Sequence, residues 1–448
     1  MLSPVIEQDM GITVLDKTSA TWHEPAGNTG IRRCLEQAAK EFQRAWLLLV
    51  LATLLSACAS NPYTYSPTVG SGLEQSSTTL TAGGYRVQAA VPGADQARSF
   101  LGVDVYARNI QPVWLKIRND NETRARVVIS SIDPKYFPPS EVAWYFKKEF
   151  SKEGWMDLEK RLIDLSLPRF IEPGETVSGL VFTNLSPGTK SFNLGVFRGV
   201  RPPQYQQFTF FLRVPGFVPD YTNVRFDELY AEEELEQFTL ATVPAAIESL
   251  ACCTSNVDGT ATGRPVNVYF VSEGLVLLKS LLRAGWVETT VASDDVGAGP
   301  VNFLFGRPAD GKFRKPRDGT TDRTELAIWK TPVLVDGKPL WAAQVRHAVG
   351  RRFPLGDRVF GVRLDPDVDE GRNYVLQTFW YAQTLAKWGL TETGTLVPQE
   401  TPKMDLLGNP WFTLDPYDAV IWLSDNPIPM NEAKNLTWDD RGAERGVK

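Results

Sequence analysis

The stretch from Ala45 to Leu55 carries no charge and runs directly into Ser56, Ala57 and Cys58. Arg32, Arg33, Lys40 and Arg44 lie on its N-terminal side. A basic region, a short apolar core and small residues before a cleavage point form the layout of a secretory signal, which is removed rather than folded. The core is too short to span roughly 30 Å of hydrocarbon as a helix, which takes about 20 residues. A buried amphipathic helix would produce the same pattern only by stopping, through coincidence, at a cluster of small residues. The fold is therefore expected to begin after residue 57. Met1–Gly30 precede the basic region and read as an upstream extension, as from a start codon assigned too early. Glu36 and Glu41 sit untidily within the basic region.

Leu55-Ser56-Ala57-Cys58 resembles the bacterial lipobox, in which the cysteine receives lipid, including palmitate, and becomes the new N-terminus. The resemblance implies a lipoprotein precursor anchored to the membrane through Cys58. Ala59, where an Asp would favour the inner membrane, implies the outer membrane and a periplasmic orientation. Residues 58–77 are rich in Ser, Thr, Pro and Gly and are expected to form a flexible tether. Export implies an oxidising compartment. Beyond Cys58 the cysteines are Cys252 and Cys253, which are adjacent. Neighbouring cysteines rarely bond each other, so free buried thiols, a vicinal disulfide and cross-pairing between chains all stay open.

Composition narrows the chemistry. The 448 residues suffice for two or three domains, and 43% hydrophobic with 22% charged residues is ordinary for a globular chain. A formal charge of −6 leaves no general nucleic-acid footprint. There are 2 histidines, and His347 is the one beyond Cys58. A three-histidine metal site is thereby excluded, and a Ser-His-Asp arrangement would have to use His347. No metal and no cofactor is expected.

From 78 to 220 short β-rich runs alternate with turn residues. Tyr85 to Val91 alternates, Val113, Leu115 and Ile117 share one face, and Asn119 to Asn121 marks a turn before a strand from Ala125 to Ile132. Ile171 to Phe182, Phe192 to Phe197 and Gln207 to Val214 complete the expectation of an immunoglobulin-like β-sandwich. Ser140 to Leu165 interrupts it with helical spacing: Val142, Phe146 and Phe150, then Leu158, Leu162 and Leu165. Two inserted helices should pack on the sandwich or cover one end, as a structural lid rather than a ligand gate.

A compact α+β domain is expected from 225 to 425. Val266 to Gly285 reads as strand then helix, with Ser272 as N-cap, Leu275, Leu278 and Leu282 on one face, and Gly285 just past the helix end. Val301 to Phe305, Glu325 to Lys330, Leu340 to Val349 and Tyr417 to Leu423 read as strands. Asp365 is expected to cap a long helix with Pro366 at its first position, Val375, Phe379, Ala382 and Ala386 along its buried stripe and Gly389 at its end. Residues 431–448 read as a disordered polar tail. The fold class is thus a mixture of α+β and all-β.

Cys252-Cys253-Thr254 through Asn256 with Gly259, Pro265 to Val268, Phe305 to Pro308, Ile328 to Pro332, Trp341 through Gly350, and Asp365 to Asp369 with Arg372 occur in that order. In these pieces the region from about 225 to 425 resembles the LssY-like C-terminal domain family. In that family the domain is often joined to membrane-embedded segments, and here a lipid anchor would replace them. The resemblance carries no settled activity. This chain departs from it at His347, where an acidic residue would be expected after Arg346, and at Arg363, in place of a histidine.

The candidate binding residues are Gln344, Arg346, Asp365, Asp367, Asp369 and Arg372. Alternation along residues 340–349 sets Gln344 and Arg346 on a polar surface or groove, opposite Trp341, Ala343, Val345 and His347, with His347 expected as a satisfied core residue. Arg346 is expected to pair with one of the acids at the helix start, although capping and an i,i+3 pair would explain those acids without a ligand. Arg307, Lys312, Arg314, Lys315, Arg317 and Arg323 outnumber Asp310, Asp318 and Asp322 in a loop that would be solvated or would meet lipid phosphates or an anionic polymer. The expected function is a non-catalytic envelope module held to the membrane by lipid and binding an envelope protein or polymer. The competing class is a hydrolase of phosphate esters or envelope polymers that uses Arg346, Asp365 and Asp367 around a groove.

Overall fold

In a computed structural model of the chain, the described residues are 62–66, 72–133, 135–199, 201–290, 302–317, 323–352 and 361–438. Cys58, the signal and the upstream extension lie outside them. Pro62–Lys448 forms one compact unit. It is mixed α and β with strands predominant, in several sheets.

The first eight strands are β1 (Thr78–Ala82), β2 (Tyr85–Ala90), β3 (Ile110–Asn119), β4 (Ala125–Val128), β5 (Phe170–Ile171), β6 (Thr176–Asn184), β7 (Thr189–Arg198) and β8 (Gln204–Arg213). They form two antiparallel sheets ordered β1-β2-β3-β6 and β5-β4-β7-β8. Alternation supplies one core between the sheets: Val87, Ala89, Val113, Leu115 and Ile117 meet Val127, Leu194, Val196, Phe208 and Phe210. The expected strand to Ile132 ends at Val128 and continues as a short 3-10 turn.

Three helices cover the outer face of the first sheet. α1 (Ala94–Leu101) contributes Phe100 and Leu101, α2 (Pro139–Tyr145) Val142 and Ala143, and α3 (Lys152–Asp164) Leu158 and Leu162, against Ile110, Trp114, Leu180 and Phe182 of β3 and β6. The interruption thus folds as the two expected helices. Pro139 starts α2, and the Ser151 hydroxyl accepts from Gly154 N at 3.0 Å to cap α3. The described parts of 58–77 lie against this layer: the Tyr63 hydroxyl donates to Leu101 O at 2.6 Å, and Leu73 is buried.

The second region contains α4 (Val243–Glu248), α5 (Gly274–Arg283) and α6 (Val368–Tyr381). Its strands are β9 (Glu236–Phe238), β10 (Cys253–Ser255), β11 (Thr262–Pro265), β12 (Val268–Val271), β13 (Val287–Glu288), β14 (Phe303–Leu304), β15 (Arg307–Pro308), β16 (Gly311–Pro316), β17 (Arg323–Val335), β18 (Lys338–Arg352), β19 (Gly361–Leu364), β20 (Leu385–Thr391), β21 (Lys403–Met404), β22 (Pro410–Trp411), β23 (Asp418–Leu423) and β24 (Lys434–Leu436). The large sheet runs β13-β16-β17-β18-β12-β23-β20-β24, with β9 on β17 and β19 on β18. Central strands β12 and β23 are parallel to each other and buried throughout, as expected where both faces are covered. Leu277 and Leu281 of α5 and Val375 and Phe379 of α6 pack on one face with Val268, Phe270, Trp341 and Val345. Ile247 of α4 and Leu304 pack on the other with Tyr269, Ala342, Val420 and Trp422.

Several expectations change here. Helix α5 is preceded by Glu273, not Ser272, and Leu275 is 63% exposed, while Gly285 does take the left-handed position beyond the helix end. Helix α6 is capped by Asp367 and ends at Tyr381; Gly389 and Ala386 belong to β20. Gln383, with φ of 59°, makes the turn that ends it. The described part of the polar tail, up to 438, is structured: β24 pairs with β20, and Trp438 stacks on Trp422 at 6.3 Å. Residues 439–448 lie outside the described residues. The basic loop is largely the β16–β17 hairpin.

The two regions meet through Glu288. Its carboxylate accepts from Thr189 N and from the Tyr221 hydroxyl. A Cβ on Gly188 would lie 2.2 Å from Glu288 Oε2, so a side chain there would displace that carboxylate. Asp220 adds hydrogen bonds from the Thr289 hydroxyl at 3.0 Å and from Lys312 N at 3.4 Å.

Candidate functional site

Gln344 and Arg346 do lie away from the Trp341–Val345 face, but not on an open groove. Gln344 is 1% exposed, because the small sheet β11-β10-β14 covers that part of β18. Its amide donates to Thr254 Oγ1 and Arg264 O, both at 2.9 Å, and accepts from Asn302 at 2.7 Å. Arg346 pairs with Glu325, its direct cross-strand neighbour on β17, at 2.9 Å. The expected pair with Asp365, Asp367 or Asp369 is therefore replaced by one set by sheet register. His347 is half-buried rather than in the core; its Nδ1 is 2.9 Å from the Thr324 hydroxyl.

The acids before α6 divide into two uses. Asp365 Oδ1 accepts from Asp367 N at 3.1 Å and closes a turn, while its backbone oxygen accepts from Arg264 at 2.8 Å. Asp367 Oδ1 accepts from Asp369 N at 2.9 Å and caps the helix. Arg264, overlooked in the sequence, is buried, pairs with Asp405 at 3.2 Å and also donates to Pro410 O at 3.1 Å.

Asp369 and Arg372 belong to a second, buried group. Arg372 forms a forked pair with Asp415 at 2.7 and 2.8 Å, lies 3.4 Å from Asp369, and donates to Tyr417 O. Asp369 Oδ2 accepts from Leu414 N at 2.6 Å and from Asp415 N at 3.3 Å. Burial raises the Asp369 carboxyl above the usual range, whereas the Arg372 hydrogen bonds hold Asp415 below it.

Asp418 completes the group. It is 4% exposed, and Oδ2 accepts from the Thr393 hydroxyl at 2.7 Å. Burial pushes its carboxyl up to about 7; Thr393 and the Arg372 charge counteract this, and the charges of Asp369 and Asp415 reinforce it. The carboxyl thus changes protonation near neutrality, as a group that gives or takes a proton at that pH must. It lines a small cavity of about 80 Å³ with Thr393, Gly394, Tyr269, Ile247 and Cys252. Cys252 and Cys253 are joined in a vicinal disulfide at the edge of this pocket. None of the six residues singled out from sequence lines it. The sequence signal for Asp418 was a carboxylate opening an otherwise apolar strand.

The basic hairpin is partly consumed by internal contacts. Arg307 holds the buried Asp310 at 2.9 Å and donates to the Tyr230 hydroxyl at 2.8 Å, and Lys315 donates to Ala284 O. Asp318 and Asp322 lie outside the described residues. Among the described residues no group of three or more His, Cys, Asp or Glu side chains could hold a metal ion.

Residues 300–401 match the family described as LssY C-terminus. The second region therefore contains an LssY-like C-terminal domain, over a span narrower than the resemblance from 225 to 425. Gln344 through Arg372 and Thr393 fall within the match; Cys252, Asp415 and Asp418 fall outside it. No curated protein matches the chain.

Proposed function

We propose that the protein is an exported lipoprotein, acylated at Cys58 and held at the periplasmic face of the outer membrane, whose LssY-like domain binds an envelope protein or polymer without catalysing a reaction. The anchoring half rests on the signal ending in Leu55-Ser56-Ala57-Cys58. The preference for binding over catalysis rests on one observation: the charged side chains a hydrolase would use are engaged within the fold, Arg346 by Glu325 and Asp365 and Asp367 by the helix start. Immunoglobulin-like topology for residues 78–220, joined to an α+β domain at 225–425 within one compact unit, is consistent with this reading. Strands β1, β2, β3 and β6 form one sheet and β5, β4, β7 and β8 the other, so the chain crosses between sheets, as a Greek-key sandwich would require. That a sandwich serves as a spacer or interaction module is an argument from fold alone.

Cys58→Ala should leave an unprocessed or mislocalised precursor. A normal processed mass and normal membrane fractionation for that variant would refute the anchor. A second reading is favoured by Asp418: a carboxyl titrating near 7 in a pocket suits a general acid of a hydrolase. Hydrolysis of a phosphate mono- or diester probe by the intact protein, abolished in Asp418→Asn, would establish that reading instead.

A further inference from the structure

The helices α2 and α3 present apolar side chains that no other described residue covers. Trp144 is 58% exposed, Tyr145 44%, Met156 53% and Ile163 51%. Met156 and Ile163 are two turns apart on one face of α3, opposite the buried Leu158 and Leu162. Trp144 stands edge-on to Trp155 at 6.1 Å, and the Trp155 indole donates to Ala143 O at 3.0 Å, which fixes the two helices together. The Lys147 ammonium lies 4.1 Å from the Trp144 ring centre and 5.2 Å from that of Trp155. Indole rings beside a lysine whose stem follows the apolar surface are the side chains favoured where hydrocarbon meets headgroups.

We infer that this face lies on the lipid bilayer, with Trp144, Tyr145, Met156 and Ile163 entering the interfacial layer. The inference rests on the proposed acylation of Cys58. Pro62 is four residues from Cys58, a span of at most about 14 Å even when fully extended. The chain from Pro62 onward is held against the same helical layer: Tyr63 meets Phe150 edge-on at 5.7 Å, and the Arg161 guanidinium covers Tyr65 at 4.3 Å. An acyl chain on Cys58 therefore keeps α2 and α3 beside the membrane. The short link also gives the face a high effective concentration of lipid, so modest interfacial affinity suffices to hold it there.

The test uses the full chain purified from membranes and reconstituted into vesicles of phosphatidylethanolamine and phosphatidylglycerol carrying brominated acyl chains. Tryptophan quenching is compared between the wild type and Met156→Ser/Ile163→Ser, which keeps Trp144 and Trp155 as reporters and changes only exposed side chains. Intact mass first establishes the acyl group. With acylation present, quenching in the wild type that falls at least twofold in the variant supports the docking. Acylation with equal quenching, or with none in either protein, overturns the docking and leaves the anchor standing. Protection of α2 and α3 from hydrogen exchange in native envelopes but not in lipid vesicles also overturns it, in favour of a protein partner. Absence of acyl mass at Cys58 removes the anchor and the docking together.

Discussion

Replacing Asp418 by Asn should change how stability depends on pH more than it changes stability itself. The carboxyl ionises near 7 in the fold, against about 3.8 for an ordinary Asp. Because the folded value is raised, the native state binds the extra proton between these limits. The stabilisation is complete below about pH 4 and is lost as pH rises through 7. At about 1.4 kcal/mol per pH unit, the whole span corresponds to roughly 4 kcal/mol, and the part between pH 5 and 8 to about 3 kcal/mol at most. Asn keeps an oxygen that can accept from the Thr393 hydroxyl but cannot ionise. Urea unfolding from pH 5 to 8.5, with the Cys252–Cys253 disulfide retained, should show wild-type stability falling relative to Asp418→Asn and then levelling above pH 8. Neighbouring Asp369, also raised by burial, is coupled to Asp418 through charge, so the difference between the curves reports the ionisation of Asp418 together with its effect on Asp369. Parallel curves across this range would refute the assignment of a neutral buried carboxyl.

The two arginines suggested by sequence should respond to truncation to different degrees. Arg346→Ala breaks a partly exposed pair and should cost about 0–1 kcal/mol in urea unfolding. Arg372→Ala strands the buried Asp369 and releases Asp415, and should cost about 3–5 kcal/mol by the same measurement. Gly188→Ala drives a methyl group into the Glu288 carboxylate and should cost about 1–3 kcal/mol, seen as a lower melting temperature. Removal of residues 1–30 should leave export unchanged, scored by the amount of processed protein in the membrane fraction.

The legible parts of the fold were those with a local cause. Alternation in β2 and β3, helical spacing at 140–165 and Gly285 beyond α5 could all be read because neighbours in sequence decide them. The start of α6 was misplaced because Asp365 and Asp367 can each accept from a backbone N–H two residues ahead. The first closes a turn and the second caps the helix. Its end was misplaced because a non-glycine residue, Gln383, adopts the left-handed conformation. The site was harder to read than the elements. Alternation correctly separated Gln344 from Trp341, but a sheet covered on both faces offers no solvent side, and the cover comes from residues some 80–90 positions away. The Arg346 partner likewise depends on the β17–β18 register, which depends in turn on the whole hairpin.

The acids at the start of α6 matter to Asp418 even though they do not share its pocket. Arg372 is the cation counteracting its raised ionisation, yet both arms of the guanidinium are committed to Asp415, with Tyr417 O and Asp369 around it. A forked arginine–carboxylate pair is both directional and strong, so it cannot turn to neutralise another acid without losing two charged hydrogen bonds. Asp418 therefore retains three influences at once: burial, the nearby charge of Asp369 and Asp415, and one hydroxyl donor too weak to offset them. The residues that cap and brace the helix thereby also set the protonation of a carboxyl on a different strand. The matched LssY segment holds Asp369 and Arg372, while Asp415 and Asp418 follow it in sequence. The titrating group is consequently a property of the completed fold, assembled where β23 lies beside β12 and its first residue sits near the start of α6.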